Sequence, residues 1–562
     1  MPEFLQWDFM QNAFLAGTII AIVAACAGYF VILRHVTFAG HALSHIGFSG
    51  AAGAVVVGID PLWGLLVFTL LAALAMGALG ERLEGRDVAI GIVLAFALGL
   101  GILFLQLYTA YASEAFSILF GTIMGISRAA VLTIALIGLV VLAGLTVIFR
   151  PLLYMSVNPV AAEAGGVPVR LLSAIFLLLL ALAVSEAVQV VGVLLIFALL
   201  IAPPATAMYV TARVYPALLI AIALGVLETW FGLIMAFYTN YSVSFFIASA
   251  AVAIYLLVRL MALAGVVGPG RSLRRLTALL AVLTAGISGC GASHSAGSSE
   301  ITVVAAENEY GAMAQAIGGK DVRVTSLLTN PNTDPHEFEA SASTAEAVAR
   351  ARLVIENGIG YDAWVGKLLS ASPRSGRLVF DVGVTLEKHT GDNPHIWYDP
   401  AGWQKEATII ADDLSRLAPK DRAYFQQRKA AWLASLRFIH REIARVRQLT
   451  ANSSVIATEP VYGYMLATLG ATSQDAVFQK AIMNGTDPSP QSVSQFETDL
   501  HRHTVRMLFY NSQVVDPTTT RMRTIARQSG IPVVGVTETQ PGSQSFVAWQ
   551  IGQLQAIQRS WK

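Results

Sequence analysis

Two histidines in the second half of the chain follow proline in similar short motifs. His336 lies in NTDPHEFEAS and His395 lies in NPHIWYDP. Imidazole nitrogen is a good ligand for transition metals, although a lone histidine in such a loop more often caps a turn. Because Asp or Asn followed by Pro and His occurs twice, we favour metal ligands over caps for this pair. We expect the two imidazoles to meet at an interface between two lobes.

A second pair of histidines lies in the first half, in GHALSHIGFSG. His41 and His45 are four residues apart, and this spacing places both imidazoles on one face of a helix, where they can bind a transition metal. The alternative is two histidines near a helix end that form hydrogen bonds with the backbone or with neighbouring side chains.

A carboxylate also occurs within the apolar half. Glu186 lies in the apolar run LAVSEAVQVVG. A carboxylate in such a run usually faces a bundle interior or an aqueous path; the alternative is a helix-end carboxylate at the membrane interface.

The composition indicates what kind of protein must position these side chains. Hydrophobic residues make up 55% of the 562 residues, charged residues 13%, and the mean hydropathy is +0.61. Soluble domains carry about 25% charged residues, so the composition predicts a membrane protein. The net charge of +1 argues against nucleic acid as a partner. Only Cys26 and Cys290 are cysteines, which excludes a disulfide framework.

The apolar residues are concentrated before residue 270, and no lysine precedes Lys320. Runs of about 20 apolar residues predict membrane-spanning helices. We predict eight or nine spans, with the segment around LFGTIMG (119–125) as a candidate re-entrant segment. Arginine placement predicts that residues 150–170 and 259–275 face the cytoplasm. The predicted spans are 10–33, 46–59, 61–80, 88–108, 129–149, 171–190, 191–211, 214–237 and 243–264.

Residues 300–562 have the composition of an ordinary globular domain, and short β-branched runs alternate there with amphipathic stretches. This alternation predicts an α/β fold with parallel sheets. One long helix is predicted from about 420 to 448, with a single apolar stripe, so we expect two lobes joined by a spine helix. The predicted strands are 301–305, 322–327, 377–382, 454–458, 506–510 and 532–536. The predicted stripe is Trp432, Leu436, Ile439, Ile443 and Val446.

The segment between the two halves has the pattern of a bacterial lipoprotein signal. A basic start is followed by an apolar run of about 13 residues and by ISGC, which resembles a lipobox and ends at Cys290. One alternative is cleavage and lipidation at Cys290; the other is an uncut anchor helix. In both cases the segment is placed to carry the chain back across the membrane. The predicted domains are 1–270 (membrane domain), 271–290 (signal or anchor), 291–299 (flexible linker) and 300–562 (binding domain).

Five motifs of the first half occur in the order found in one transporter family. They are RHVTFAGHALSHIGFSG, DVAIGIVLAFALGLGILF, LFGTIMGIS, NPVAAEAGGVPV and VVGVLLIFALLIAPPATA. On these motifs, residues 1–270 resemble the permease subunit of ABC importers for zinc and manganese. The resemblance implies that His45 lines the ion path and that His41 stands where the family usually has an acid. It also implies a loop that contacts the ATPase, formed by Pro159, Ala162, Gly165 and Gly166, in which Asn158 stands where Asp is common.

Four motifs of the second half resemble the solute-binding proteins that serve the same importers. They are IGGKDVRVTSLL, NPNTDPHEFEAS, LVIENGIGYDAWVGKLL and NPHIWYDP. The resemblance implies four metal ligands, which in this chain are His336, His395, Glu459 and Glu538. The family more often has Asp at the fourth position. Such a mixed set suits Zn²⁺, Mn²⁺ or iron, with a slight tilt toward manganese from the extra carboxylate.

The two resemblances together predict a fused permease and receptor for uptake of a divalent transition metal, Zn²⁺ or Mn²⁺. The only Gly-Lys pair, Gly319-Lys320, lacks the P-loop pattern, so we expect a separate ABC ATPase subunit, and also a permease homodimer and membrane lipid. No organic cofactor and no enzymatic activity are expected. We expect a multi-pass protein of the bacterial plasma membrane with its C-terminal domain outside. The alternative is a membrane-anchored metal sensor or adhesin-like surface protein without transport.

Overall fold

A computed structural model describes residues 3–79, 86–107, 121, 123–239, 241–264, 300–329, 338, 340–486, 488–514, 517–542 and 544–561. We call residues 3–264 the helical half and residues 300–561 the α/β half. The predicted signal or anchor (271–290) with Cys290, the linker (291–299) and His336 lie outside the described residues.

The helical half is a bundle of long apolar helices that pack through small residues. On α1, Gly17 and Gly28 face α8 and α7, and a Cβ at Gly28 would lie 1.8 Å from the Leu200 carbonyl oxygen. The helices therefore approach to backbone contact, as membrane helices do where small residues line their interfaces. The helices are α1 (Asp8–Leu33), α2 (Thr37–Val57), α3 (Pro61–Leu79), α4 (Arg86–Leu107), α5 (Arg128–Val157), α6 (Pro159–Ala164), α7 (Val169–Val210), α8 (Val214–Thr239) and α9 (Val243–Leu263).

Seven helices in the described part are long and apolar enough to cross a bilayer. They include the first leg of α7, Val169–Val193, whose second leg, Leu195–Val210, is shorter. The predicted span at 46–59 falls within α2, which begins earlier, at Thr37, so that His41 and His45 lie inside a helix of 21 residues. With α2 and the second leg of α7, the described helices occupy all nine predicted positions.

The predicted boundary between spans 171–190 and 191–211 is a break inside α7. Gly192 has φ 80° and ψ 166°, a conformation that is essentially restricted to glycine. Gly121 packs against this break, since a Cβ there would lie 2.4 Å from the Gly192 nitrogen. Of the candidate re-entrant segment, residues 123–125 form a short 3₁₀ turn.

The bundle has two chemically different ends. At one end, Arg128 at the start of α5 pairs with Asp8 at the start of α1, at 3.0 Å. At the other end, Arg34 after α1 donates to the Ser173 hydroxyl near the start of α7, at 2.7 Å. The predicted cytoplasmic loop, residues 150–170, lies at the Arg34 end, because α5 runs toward it and α7 runs away from it.

The α/β half contains two parallel four-stranded sheets of the same topology, one in each lobe. The strand orders are β2-β1-β3-β4 and β6-β5-β7-β8. All six predicted strands are present; β3 and β6 were not predicted, because each is very short and shows no alternation. The strands are β1 (Ile301–Glu307), β2 (Val322–Leu328), β3 (Leu353–Glu356), β4 (Leu378–Asp381), β5 (Ser454–Ala457), β6 (Thr472–Gln474), β7 (Leu508–Asn511) and β8 (Val533–Val536).

The predicted spine is confirmed as α15, Arg422–Thr450, and every residue of its predicted stripe is buried. It packs against α10, α14 and α20 and connects the lobes. The helices of this half are α10 (Asn308–Gly318), α11 (Ala342–Arg350), α12 (Ala363–Ala371), α13 (Val382–Thr385), α14 (Trp403–Leu417), α15, α16 (Gly463–Thr468), α17 (Ala476–Met483), α18 (Pro490–His501), α19 (Pro517–Gln528) and α20 (Phe546–Ser560).

Candidate metal site and ion path

The candidate ligands of the α/β half lie where the two lobes face each other. Glu459 follows β5 and Glu538 follows β8, both at the carboxyl ends of the second sheet. His395 lies in the loop after β4 and α13 of the first lobe, just before a 3₁₀ turn at Ile396–Tyr398. Carboxyl ends of parallel strands meet at one edge of a sheet, which is where open α/β folds bind ligands.

The structure brings His395 and Glu538 into direct contact across the cleft. The distance from His395 Nε2 to Glu538 Oε1 is 3.2 Å, and both side chains are 0% exposed. Two ligands of a tetrahedral zinc ion, with bonds of about 2.0–2.2 Å, lie about 3.3–3.6 Å apart. The pair is hydrogen-bonded at 3.2 Å, so a small separation of the two side chains would give the spacing of two ligands of one ion.

Glu459 lies beside this pair and is 4% exposed. It is linked to Glu538 through Asn511, whose Nδ2 donates to Glu459 Oε2 at 3.2 Å and to Glu538 Oε2 at 2.9 Å. In the part of the chain that the structure describes, no three His, Cys, Asp or Glu side chains are grouped closely enough to hold an ion by themselves. His395, Glu459 and Glu538 are therefore not brought together as three ligands of one ion, and the fourth candidate, His336, lies outside the described residues.

The ring of His395 is held by an amide that the sequence did not reveal as functional. Asn393 Oδ1 lies 2.7 Å from His395 Nδ1 and also accepts the His395 backbone N–H at 3.1 Å. The amide oxygen can only accept, so Nδ1 carries a proton; the contact of Nε2 with Glu538 Oε1 then requires a second proton, on Nε2 or on the carboxyl group, which a bound ion would replace. Asn393 Nδ2 donates to the Pro460 carbonyl at 2.7 Å, so one side chain connects the histidine to the residue after Glu459.

The cleft is closed by further hydrogen bonds between the lobes. Tyr361 of the first lobe donates its hydroxyl to Glu538 Oε1 at 2.8 Å. Burial, and next the charge of Glu538, hold the pKa of Tyr361 well above its ordinary value, so the phenol remains a donor. Asn308 donates to the Gln540 carbonyl at 2.6 Å and accepts the Gln540 N–H at 3.1 Å.

A buried acid lies close to these ligands. Glu309 is 1% exposed, and burial, with a smaller contribution from the negative charge of Glu538, raises its pKa to about 8. Near neutral pH it is therefore largely a neutral acid.

In the helical half, His41 and His45 form a pair on one face of α2, as their spacing predicts. Their ring centroids are 4.6 Å apart at an interplanar angle of 77°, and the His41 ring also contacts Phe197 of α7 at 5.1 Å. Both histidines are partly exposed in the single chain. The pair therefore remains accessible to an ion or to a second chain.

Glu186 lies deep within the bundle and is 1% exposed, so it is not a helix-end carboxylate. It lies on the first leg of α7 near Gly138, Ile19 and Val23, since a Cβ at Gly138 would be 3.2 Å from its Oε1. Its contacts are thus with α1 and α5, and the histidine pair is on α2. Glu228 on α8 is a second intramembrane acid that sequence reasoning missed. Neither carboxylate has a hydrogen-bond partner among the described residues.

The predicted ATPase-contacting loop forms the short helix α6 with well-defined ends. The Asn158 side chain accepts the Ala161 N–H at 2.9 Å, as a good N-cap does, so the replacement of Asp by Asn keeps the cap. Pro159 occupies the first turn, and Gly166 ends the helix with φ 82°. Ala162 is buried, whereas the neighbouring Val160 is 77% exposed. The helix therefore presents an apolar side chain to the outside of the bundle.

Comparison with known proteins identifies the family. Residues 6–262 match the model of the ABC 3 transport family. The manganese transport system membrane protein MntC of Halalkalibacterium halodurans is 32% identical over 263 residues, which cover 47% of this chain and 88% of that protein. The chain belongs to the ABC 3 transport family. Residues 303–560 match a second family model, described as zinc-uptake complex component A, periplasmic. This ABC 3 protein thus joins a permease to a metal-binding component in one chain.

Solved structures resemble each half of this ABC 3 protein separately. PsaBC from Streptococcus pneumoniae is 31% identical, with a TM-score of 0.41, and covers 44% of this chain and 90% of that one. The periplasmic zinc-binding protein TroA from Treponema pallidum is 18% identical, with a TM-score of 0.41, and covers 47% of this chain and 99% of that one.

Proposed function

We propose that this chain captures Zn²⁺ or Mn²⁺ in its α/β half and imports the ion through its helical half, as the fused receptor and permease of an ABC transporter. The observation that carries the proposal is the buried contact of His395 with Glu538 between the lobes. Glu459, linked to Glu538 through Asn511, and His336 complete the proposed set of ligands. In this account the metal is the transported substrate.

The donor types and their second shell support a transition-metal substrate. One imidazole and two carboxylates provide nitrogen and oxygen donors, which suit zinc, manganese and iron. Each side chain is oriented by an amide or a phenol, which is the usual support of a metal site. The curated relative named above is a manganese transport protein, and the second family model names zinc uptake.

The ion path that we propose in the membrane includes His45, His41 and Glu186. The two histidines lie together on α2, and their partial exposure favours a path completed by a second copy of the chain. Glu186 lies on the far side of α7, against α1 and α5. We assign it to the path because an unpartnered carboxylate inside a bundle is costly unless it serves transport.

The positions of the two halves support a further membrane crossing between them. Helix α9 ends at Leu263 near the Arg34 end of the bundle, because Tyr255 of α9 packs on Tyr209 at the end of α7. At the opposite end, the Arg350 guanidinium lies 4.9 Å above the Trp7 ring, and Arg350 accepts a hydrogen bond from Thr302 near the start of the α/β half. The end of α9 and the start of the α/β half therefore lie at opposite ends of the bundle, which supports an α/β half outside the cell.

ATP hydrolysis would be supplied by a separate ATPase subunit that binds near α6. This helix lies at the Arg34 end, with Val160 exposed beside Pro159, Gly165 and Gly166. Outward-facing leucines on α5 and α9 are suited to contact lipid or a second permease.

Mass spectrometry of the purified protein tests whether the segment that connects the two halves is cleaved. A mature chain that begins at a lipidated Cys290 indicates processing, and a full-length chain indicates a permanent crossing.

The direct test of binding is calorimetric titration of the full chain with Zn²⁺ and with Mn²⁺. We expect tight binding of one equivalent that is lost in His395→Ala, and Ser512→Ala serves as the control beside the site. Binding that is unchanged in His395→Ala would refute the proposed site. Metal binding without uptake in cells that contain the ATPase would instead favour a sensor or adhesin-like surface protein.

A further inference from the structure

A cavity of about 230 Å³ lies where the α/β half meets one end of the helical half, which we call the outer end. Helix α12 of the first lobe contributes Lys367 and Ser370 to its lining, and the helical half contributes Asp60, which directly precedes α3. The same lobe contacts the outer end through Arg350, whose guanidinium lies 4.9 Å above the Trp7 ring. At about 30 Å³ per water molecule, the cavity has room for several waters or for a hydrated ion.

The walls of this cavity continue inward along three helices. Helices α3 and α5 begin at the outer end and run inward, and the first leg of α7 runs outward between them. Each helix contributes one residue to the lining, and the residue one turn deeper lies about 6 Å further into the bundle. The pairs, with the lining residue first, are Leu65 and Thr69 on α3, Ile134 and Gly138 on α5, and Val190 and Glu186 on α7.

The three deeper residues meet in one polar layer. A Cβ at Gly138 would lie 3.2 Å from Glu186 Oε1, and the Thr69 hydroxyl lies 2.6 Å from the hydroxyl of Ser185, the neighbour of Glu186 on α7. Thr69, Ser185 and Glu186 are at most 1% exposed. Neither oxygen of Glu186 has a hydrogen-bond partner among the described residues. The cavity therefore lies one helical turn above an unpartnered carboxylate.

The chemistry of this layer suits the passage of a cation rather than its storage. A carboxylate and two hydroxyls are oxygen ligands, which hard divalent cations accept. In the described part of the chain, no three His, Cys, Asp or Glu side chains are grouped to hold an ion tightly, and a conduction site must attract an ion without retaining it. An intramembrane carboxylate is costly, and where one occurs it usually marks an ion path.

We propose that this cavity is the outer entrance of the ion path, and that a divalent cation released by the receptor passes through it to Glu186 within a single chain. The inference rests on the proposed function, because it concerns the route by which the same substrate enters the helical half. Since α12 lines the entrance, the first lobe covers it while the two halves are in contact. A group that fills the cavity should therefore stop uptake without affecting metal capture by the receptor.

The test places a single thiol in the cavity. Ala130 lines the cavity and is partly exposed, so Ala130→Cys adds little bulk before it is modified. The parent chain carries Cys26→Ala and gives the background from Cys290. In intact cells that contain the ATPase, a membrane-impermeant trimethylammonium methanethiosulfonate should abolish zinc and manganese uptake by Ala130→Cys, whereas unmodified Ala130→Cys should import as the parent does.

Leu136→Cys is the matched control, because Leu136 is 56% exposed on the outward face of the same helix. Its uptake should not respond to the reagent, and mass spectrometry reports the extent of modification in each chain. An Ala130→Cys chain that does not react, or that reacts and still imports, would overturn the inference. A parent chain that imports neither metal would instead overturn the proposed function itself.

The inner end of the route is tested by Glu186→Gln, which keeps the shape of the side chain and removes its charge. Uptake should be lost while calorimetric binding of metal by the receptor is unchanged, and Glu186→Asp should retain part of the uptake. Uptake by Glu186→Gln that equals that of the parent would exclude the route through Glu186.

Discussion

Substitution of Asn393 should weaken metal binding although this side chain is not a proposed ligand. Asn393→Ala removes the acceptor of His395 Nδ1 at 2.7 Å and the bond to the Pro460 carbonyl at 2.7 Å. Without that acceptor, the imidazole is free to rotate and to place its proton on Nε2, the atom that should bind the ion. Loss of a second-shell partner of this kind typically costs 10- to 100-fold in metal affinity, about 1.4–2.7 kcal/mol.

The assay is competition calorimetry with Zn²⁺ and Mn²⁺ on the full chain, with Asn393→Asp as the matched variant. Aspartate keeps an acceptor for His395 Nδ1 but loses the donor to Pro460. We therefore expect Asn393→Asp to retain most of the affinity and Asn393→Ala to lose it. Equal affinities of wild type and Asn393→Ala would refute the reasoning that the Nδ1 bond prepares Nε2 for the metal.

Three further predictions concern other parts of the chain. Burial, and next the charges of neighbouring acids, raise the pKa of Glu406 from 4.5 to about 8, so this group should lower the free energy of unfolding by about 1.4 kcal/mol per pH unit as pH rises between these values. Glu406→Gln should remove that slope in urea unfolding of residues 300–562, and an unchanged slope would contradict the assignment. Gly192→Ala forces φ 80° on alanine and should destabilise the purified chain by about 1–3 kcal/mol in thermal unfolding. Gly99→Ala, which meets no atom within 4 Å, should leave it unchanged, and equal effects of the two would contradict a special role for the break. His45→Ala should abolish uptake while metal binding by the α/β half persists; normal uptake would exclude this histidine from the path.

The sequence predicted the architecture well where long patterns repeat. The stripe of α15 and the apolar runs of the helical half each extend over many residues, so periodicity identified them. Two short strands, β3 and β6, were not predicted. They have four and three residues, which is too short for an alternating pattern of apolar and polar residues to be recognised. The start of α2 was misplaced because histidine, serine and glycine dilute its apolar character. The break in α7 was located because two predicted spans met there without a polar loop.

The proposed ligands could be predicted from the sequence, whereas the residues that hydrogen-bond to them and orient them could not. His395 stands in a distinctive motif, and the resemblance to metal-binding proteins supplied Glu538, which the structure places against it. Asn393, Tyr361 and Asn511 were missed because neutral amides and phenols are common in loops, and their importance depends on three-dimensional contacts. One available signal was position, since Asn511 directly follows the predicted strand 506–510 at the ligand-facing end of its sheet.

The central claim, that one chain both captures and imports a transition metal, is tested most directly by uptake of radioactive zinc and manganese. Cells that produce the full chain should be compared with and without the partner ATPase, and with His395→Ala in place of the wild type. The account predicts uptake that requires the ATPase and is lost in His395→Ala at low external metal. Uptake that is independent of the ATPase, or that persists unchanged in His395→Ala, would contradict it.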